Sequence, residues 1–416
     1  MNDPAGTGTA EQINDCQSTD SIKNDPNVPL NIDLLYSGEN LAQGRRLPHS
    51  LCVILIVFFI GILLSMTLNF GISAWSGTMD LCDDYYDGAS HEDIVLSSFS
   101  DVFYKNREMR TIITNYDYIL FGNLNTNDVI LGKNEFLFER YDKVHDYNYI
   151  ADYIGEYSDK DGEVKEIAEG ILRLRKKYDD IGVGCTVVVI PNIHTVYCEM
   201  MPDFFGTMSP QTRLAKLTQY MDNVGCTDYI DTREALIAAK SEGRLYNNTE
   251  NSLNARGAYH VYLEVIRRLS EDGNMTVPDC LTLSERDLVS HVTAGKELAR
   301  EVGLPYLIRN LTVSLSGEFT QRYEAKKRVG SVSIVGPKEE FRDLLPDSPS
   351  VLFEFTESNE WDRILLTDYF SNTFGQCGYR TSAEFSTDAV QSINASRVII
   401  FVHENELSVF TDTKNQ

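Results

Sequence analysis

The feature that most constrains this chain is an apolar run near its N-terminus. No Asp, Glu, Lys or Arg occurs between Leu47 and Met79, and the centre of this window reads LCVILIVFFIGILLSMTLNFGISAW, residues 51–75. About 20 mostly apolar residues are enough for a helix to cross the hydrocarbon core of a bilayer. The sequence therefore predicts a transmembrane helix over residues 47–75. A cleaved signal peptide is the alternative, but its apolar region and its charged leader are both expected to be shorter.

Charged residues on the two sides of this run indicate its orientation. Arg45 and Arg46 precede it, and Asp80, Asp83 and Asp84 follow it. Because basic residues tend to stay on the cytoplasmic side, we expect a cytoplasmic N-terminus and an extracytoplasmic C-terminal region, anchored in the cell membrane by a single span. The expected order is a disordered cytoplasmic tail, the transmembrane helix, an acidic linker and one large domain, at residues 1–46, 47–75, 76–100 and 101–416.

Composition excludes several classes of function. The 416-residue chain has a formal net charge of -25, and nucleic-acid binding needs a basic surface, so we expect no nucleic-acid partner. None of the spacings between its eight cysteines is a CxxC or a zinc pattern. The isolated glycines form no phosphate-binding loop. We therefore expect neither a metal nor a cofactor.

Beyond the linker, segments typical of strands alternate with segments typical of helices. CTVVVIPN (185–192), RILLTDYF (363–370) and SRVIIFVHENE (396–406) are continuous apolar runs of the kind found in strands that are buried on both faces. EVKEIAEGILRLRKKY (163–178) has apolar residues near the helical period. This alternation predicts a three-layer α/β domain with a mainly parallel sheet, in which the three runs are neighbouring strands. Ligands of such sheets bind beyond the carboxyl ends of the strands.

Several segments in this region resemble those of a known family, in the family's order. They are VILGKNEFLF (129–138, a Gly-Lys-x-x-x-Leu-Phe segment), VVVIPNIHTVYCEMMP (187–202, an Ile-Pro-Asn strand end), LYNNTENSLNARGAY (245–259, an Asp-x-His-Trp-Asn-x-x-Gly-Ala-Tyr block), and RILLTDYF with SRVIIFVHENEL (363–370 and 396–407, a Gly-Asp-Ser-Phe strand end and the final strand). On these segments the domain resembles the SGNH-hydrolase-like domain of the alginate O-acetyltransferase (AlgX/AlgJ, DHHW) family.

The resemblance implies a catalytic triad in which a serine attacks an acetyl donor, a histidine takes its proton and an aspartate orients the histidine. Position by position, the aspartate corresponds to Glu250, the histidine to Ser252 and the serine to Tyr369, while Asn254 keeps the family residue. A serine hydroxyl is not a general base near neutrality, and a protonated phenol is a poor nucleophile. We therefore expect catalytic positions that are degenerate.

Four polar residues are expected to line the same cleft, namely Asn192, Asn254, Asp368 and His403. His403 ends the last predicted strand, and a pair formed with Ser371 would restore both a base and a nucleophile, although we favour a structural role for His403. For Asp368 the alternative role is to cap the N-terminus of a following helix.

Two functions therefore remain open. One is an active polysaccharide O-acetyltransferase or acetylesterase that uses rearranged residues. The other is a non-catalytic member of the cell envelope that binds glycan or scaffolds an acetylation complex, and the changed positions favour it. In either case the resemblance implies a polysaccharide ligand and a multi-spanning membrane acyltransferase as partners, in addition to the lipid bilayer that holds the anchor.

The orientation predicted from the flanking charges can be tested with protease added to intact cells or spheroplasts. Residues 100–416 should be digested while the N-terminal tail survives, because only the C-terminal side of the span is exposed. Cells permeabilised with detergent provide the control, since both sides should then be cut. A protected domain with a digested tail would show that the orientation is the reverse.

Overall fold

The computed structural model describes residues 114–115, 118–122, 124, 126, 128–156, 162–273, 281–284, 286–317, 323–338, 350–356, 360–374, 376–382 and 385–411. The predicted tail, transmembrane helix and linker lie outside these residues. Within the described ranges no helix is long and apolar enough to span a bilayer. Of the described residues, those within 127–299 and 305–411 belong to one compact unit, and those within 114–126 and 300–304 belong to a second. The sheet and the helices around it belong to the first unit.

The strands of the described part are short, and most of them join one sheet. In chain order they are β1 (Val129–Leu131), β2 (Leu137–Glu139), β3 (Tyr141–Asp142), β4 (Tyr147–Asn148), β5 (Gly184–Ile190), β6 (Tyr229–Asp231), β7 (Leu288–Ala294), β8 (Arg309–Leu315), β9 (Tyr323–Val329), β10 (Val332–Pro337), β11 (Val351–Phe355), β12 (Cys377–Thr381) and β13 (Arg397–His403).

The sheet has seven strands in the order β6-β5-β13-β11-β12-β10-β9. The five strands β6, β5, β13, β11 and β12 run parallel to one another. β10 and β9 then extend the sheet beyond β12 by antiparallel pairing. β1 with β2, β3 with β4, and β7 with β8 form separate antiparallel pairs. β13, the last strand of the described residues, is thus a central strand of the sheet.

Helices connect these strands, and a 3-10 helix, Glu404–Phe410, follows β13 directly. In chain order the α-helices are α1 (Tyr149–Tyr153), α2 (Glu163–Asp179), α3 (Ile193–Val196), α4 (Arg213–Asn223), α5 (Arg233–Ala239), α6 (Ala255–Asp272), α7 (Glu297–Glu301), α8 (Glu360–Ser371) and α9 (Asp388–Gln391).

Alternate residues of the strands face two separate cores. In β13, Ile399 and Phe401 belong to one hydrophobic core together with buried residues of α6 and α8. Val398 and Ile400 of the same strand belong to a second core together with residues of α2 and α4. Side chains alternate across a strand, so a strand with helices on both faces is apolar at every position. The predicted three-layer α/β fold with a mainly parallel sheet is therefore confirmed.

The segment RILLTDYF is not a strand, and this part of the prediction is wrong. It lies within α8, and the strand beside β13 is β11, which has the sequence VLFEF. The other two runs are β5 and β13, which pair in parallel as predicted. The buried residues Leu366, Tyr369 and Phe370 of α8 are spaced by three and four, which is the spacing of one helix face. The apolar run is too short for its composition alone to distinguish a strand from a helix.

Gly170 lies in α2 where this helix meets the segment after β13. A Cβ atom built on Gly170 would lie 2.0 Å from the carbonyl oxygen of Phe410, which is a backbone atom and cannot rotate away. We expect Gly170→Ala to reduce the free energy of unfolding by about 1–3 kcal/mol, although alanine favours helices. Urea unfolding of both proteins measures this.

The half-buried neighbour Glu169 provides the control for Gly170. Glu169→Ala should change the free energy of unfolding by no more than about 0.5 kcal/mol, because it removes only weak surface ion pairs. Equal stability of Gly170→Ala and the wild type would contradict the close contact.

Candidate functional site

The carboxyl ends of three central strands meet at one edge of the sheet. Asn192 follows β5 by two residues, Thr356 follows β11 directly, and His403 is the last residue of β13; all three are buried. The chain continues from β5 to β6 on one side of β13 and from β11 to β12 on the other. A crevice where the connections diverge in this way is the usual ligand site of parallel α/β sheets.

A buried acid–base pair lies at this edge. Nε2 of His403 is 3.1 Å from Oδ2 of Asp362, in the first turn of α8. Oδ1 of Asp362 accepts a hydrogen bond of 2.9 Å from the backbone N–H of Leu253. Burial by itself lowers the pKa of His403. The hydrogen bond and charge of Asp362, with the charges of Glu406 and Glu404, outweigh burial and raise that pKa above its usual value. Burial also raises the pKa of Asp362, so both partners of the pair hold a proton more tightly than usual.

Glu250 and Ser252 lie together in the loop that precedes α6. Oε1 of Glu250 accepts hydrogen bonds from Oγ of Ser252 at 2.7 Å, from Nδ2 of Asn247 at 2.9 Å and from Nζ of Lys296 at 2.7 Å. The hydroxyl of Ser252 therefore donates to a carboxylate that also forms an ion pair with Lys296. Among the described residues, none forms a hydrogen bond with the second oxygen, Oε2 of Glu250.

Two asparagines of the same loop have different roles. Asn251 ties the loop to the end of β5, because its Oδ1 accepts from the backbone N–H of Ile193 at 2.8 Å and its Nδ2 donates to Oδ1 of Asn192 at 2.9 Å. Asn254 is the N-cap of α6 and accepts from the backbone N–H of Gly257 at 3.1 Å. Asn192 is thus at the site, whereas Asn254 determines where the helix begins.

Tyr369 is packed into the aromatic core beneath the site. It follows Asp362 by seven residues of α8, which corresponds to about 10 Å along the helix axis. Its hydroxyl donates to the carbonyl oxygen of Ala255 at 2.6 Å, and its ring lies 5.7 Å from that of Tyr262. The correspondence of Tyr369 with the family's serine assumed a strand end, and the helix removes that basis.

The remaining predicted residues of α8 also differ from expectation. Asp368 lies inside the helix and does not cap it, and burial raises the pKa of its carboxyl to about 7. Ser371 forms a hydrogen bond of 2.9 Å with the hydroxyl of Tyr379, at the opposite end of α8 from Asp362. The pair of Ser371 with His403, which would have restored a nucleophile and a base, is therefore not formed.

Three residues missed by the sequence analysis complete this edge, namely Asp362, Lys296 and Glu404. Oε2 of Glu404 accepts from the backbone N–H of Asn192 at 2.7 Å and from Oγ1 of Thr195 at 2.8 Å, and burial raises the pKa of Glu404 to about 7. No local pattern marks Lys296 or Glu404. Within the described ranges no group of three or more His, Cys, Asp or Glu side chains is arranged to hold a metal ion.

Comparison with known proteins gives structural similarity but no sequence match. No family model and no curated protein matches the sequence. The chain is similar to the O-acetyltransferase domain of Pseudomonas putida AlgJ, with 13% identity, 69% of this chain and 93% of that chain covered, and a TM-score of 0.44. For Bacillus cereus PatB1 the identity is 10%, 68% of this chain and 99% of that chain are covered, and the TM-score is 0.46. For a DHHW family protein from Eubacterium siraeum the identity is 11%, 59% of this chain and 88% of that chain are covered, and the TM-score is 0.39. These similar structures include AlgJ and DHHW proteins, which are the proteins whose family the sequence segments resemble.

The role of Asp362 can be tested by NMR titration of the histidines. In Asp362→Asn the pKa of His403 should fall by about 1–3 units, because burial is then no longer outweighed by a nearby opposite charge. A histidine whose folded-state pKa is raised stabilises the fold at low pH, and this stabilisation is lost as the pH rises through that pKa. Asp362→Asn should therefore destabilise the chain more at pH 6 than at pH 9.

The exposed residue Asp222 supplies a matched control for this experiment. Asp222→Asn should leave the titration of His403 unchanged. An unaltered pKa of His403 in Asp362→Asn would show that the pair is not coupled in solution.

Proposed function

We propose that this chain is a membrane-anchored, extracytoplasmic protein of the polysaccharide O-acetylation type that binds glycan and does not itself transfer acetyl groups. The observation that carries this proposal is Ser252, at the position of the family's general base, with its hydroxyl donated to Glu250. A serine cannot accept a proton near neutrality, so the family's reaction has no base at this position. The uncharged window of residues 47–79 supports the anchor.

The groups that remain at the edge suit the recognition of sugar hydroxyls. The amide of Asn251 and the carboxylate of Glu250 lie in one loop, and hydrogen bonds to Ile193 and Lys296 hold these side chains in place. Polar groups that are fixed before binding lose little entropy when a ligand arrives. In an acetylation complex such a domain would hold the polysaccharide while a membrane acyltransferase supplies the acetyl group.

A second candidate function is ester hydrolysis or acetyl transfer with a relocated base. It is favoured by the separation of 3.1 Å between Nε2 of His403 and Oδ2 of Asp362, which is the arrangement of a base and its orienting carboxylate. However, among the described residues no hydroxyl or thiol forms a hydrogen bond with the ring of His403, so no nucleophile is paired with this base, which favours binding over catalysis.

Glycan binding without catalysis predicts a clear separation between two assays. The full chain in detergent should retain a soluble acetylated polysaccharide, and Glu250→Gln should weaken this binding at least about five-fold by removing a charged acceptor. Hydrolysis of a chromogenic acetyl ester should stay at the buffer rate in both proteins. Glu271→Gln, which changes an exposed residue of α6, is the matched control and should bind like the wild type.

The same assays distinguish the second candidate. Ester turnover above the buffer rate that disappears in His403→Gln would support a relocated base and contradict a site that binds glycan without catalysis. A fluorophosphonate probe followed by peptide mapping would then identify the activated serine by the peptide that carries it. Turnover that survives both His403→Gln and Asp362→Asn would contradict both functions as described.

A further inference from the structure

An exposed tryptophan stands directly beside the buried polar cluster. Trp361 lies in the first turn of α8 and is 55% exposed, whereas its neighbour Asp362 is almost fully buried. Nζ of Lys296 lies 4.7 Å from the centroid of the indole ring and 2.7 Å from Oε1 of Glu250. The lysine therefore links the aromatic ring to the carboxylate, and the tryptophan as a whole is exposed.

The position of Trp361 is fixed by the interactions of its neighbours. Asp362 binds the backbone of Leu253 and faces His403, so the start of α8 is held against the sheet edge. The contact between an ammonium group and an aromatic face is attractive and orients the ring. An exposed aromatic ring that is already oriented can stack on a ligand with little loss of side-chain entropy.

We propose that Trp361 is the stacking platform of a pyranose subsite, in which Glu250 accepts a hydroxyl of the same sugar through its Oε2. This inference rests on the proposed glycan-binding function and specifies its contacts. The apolar C–H face of a pyranose ring would lie on the exposed indole, as aromatic rings with a polar surround provide an apolar surface beside hydrogen-bonding groups. Lys296 would keep the ring and the carboxylate at a fixed separation.

The net charge of the chain bears on the class of sugar. Glu250 and Glu360, the acidic residues near the ring, are paired with Lys296 and Arg363, so the repulsion of an anionic ligand comes from the formal net charge of -25 of the whole chain. A polymer with a carboxylate on every sugar would be repelled by this field at low ionic strength. The preferred ligand is therefore a chain of uncharged or amino-bearing pyranoses and not a polyuronate.

Tryptophan fluorescence provides a direct test, because the chain has two tryptophans and the other is Trp75. The full chain carrying Trp75→Phe, in a detergent without a sugar headgroup, is titrated with acetylated xylan oligomers, chitosan oligomers and oligogalacturonates. The emission of Trp361 should change and saturate with the first two. The apparent affinity for oligogalacturonates should be at least about ten-fold lower at low ionic strength, since like charges repel.

Variants of the platform complete the experiment, with calorimetry as the measure of binding. Trp361→Ala should weaken the binding of xylan or chitosan oligomers at least about ten-fold, and Trp361→Phe should keep affinity within about three-fold of the wild type, because stacking needs an aromatic face. Ile364→Ala, which changes another exposed residue of α8, is the matched control and should bind normally.

The outcomes separate this inference from the proposed function. Normal binding by Trp361→Ala, with no change in Trp361 emission, would overturn the stacking platform while glycan binding stood. Equal or tighter binding of oligogalacturonates would overturn the assignment of the sugar class. If no oligomer of any class bound the wild type, glycan binding itself would fail, and the subsite with it.

Discussion

The carboxylate of Asp362 is the interaction on which the arrangement of this site depends. One of its oxygens accepts from the backbone of Leu253, and the other lies 3.1 Å from His403, so it joins the start of α8, the loop before α6 and the end of β13. A buried charge that loses its partner destabilises a protein by about 3–5 kcal/mol. This constraint fixes the first turn of α8 and, through it, the position of Trp361.

Buried carboxylates are a general feature of this edge, and each accepts at least one hydrogen bond. Glu404 accepts from the backbone of Asn192, Glu406 accepts from the hydroxyl of Thr356, and Glu250 accepts from Lys296. Each pair links a strand end to a segment distant in sequence. The loop before α6 thus holds Glu250 and Ser252 in one hydrogen-bonded polar network.

Sequence patterns predicted the layers of the fold better than they predicted the site. β5 and β13 are continuous β-branched runs, and burial on both faces leaves that pattern in the sequence. RILLTDYF was misassigned because a short apolar run fits a strand and a helix equally well. Asp362 could have been found only if α8 had been recognised, since Asp362, Leu366 and Tyr369 then share one face. The contact of Glu250 with Lys296, 46 residues away, has no local signature.

The central place of β13 in the sheet has a consequence for how the molecule is made. β13 pairs with β5, whose residues precede it by more than 200 positions, and also with β11. Pairings between distant segments form slowly, because the entropy cost of closing a long loop comes before the stabilising contacts form. The strands made earlier therefore lack their central partner until β13 has been synthesised. β13 then joins two parts of the sheet that can form without it, β6 with β5 on one side and β11, β12, β10 and β9 on the other.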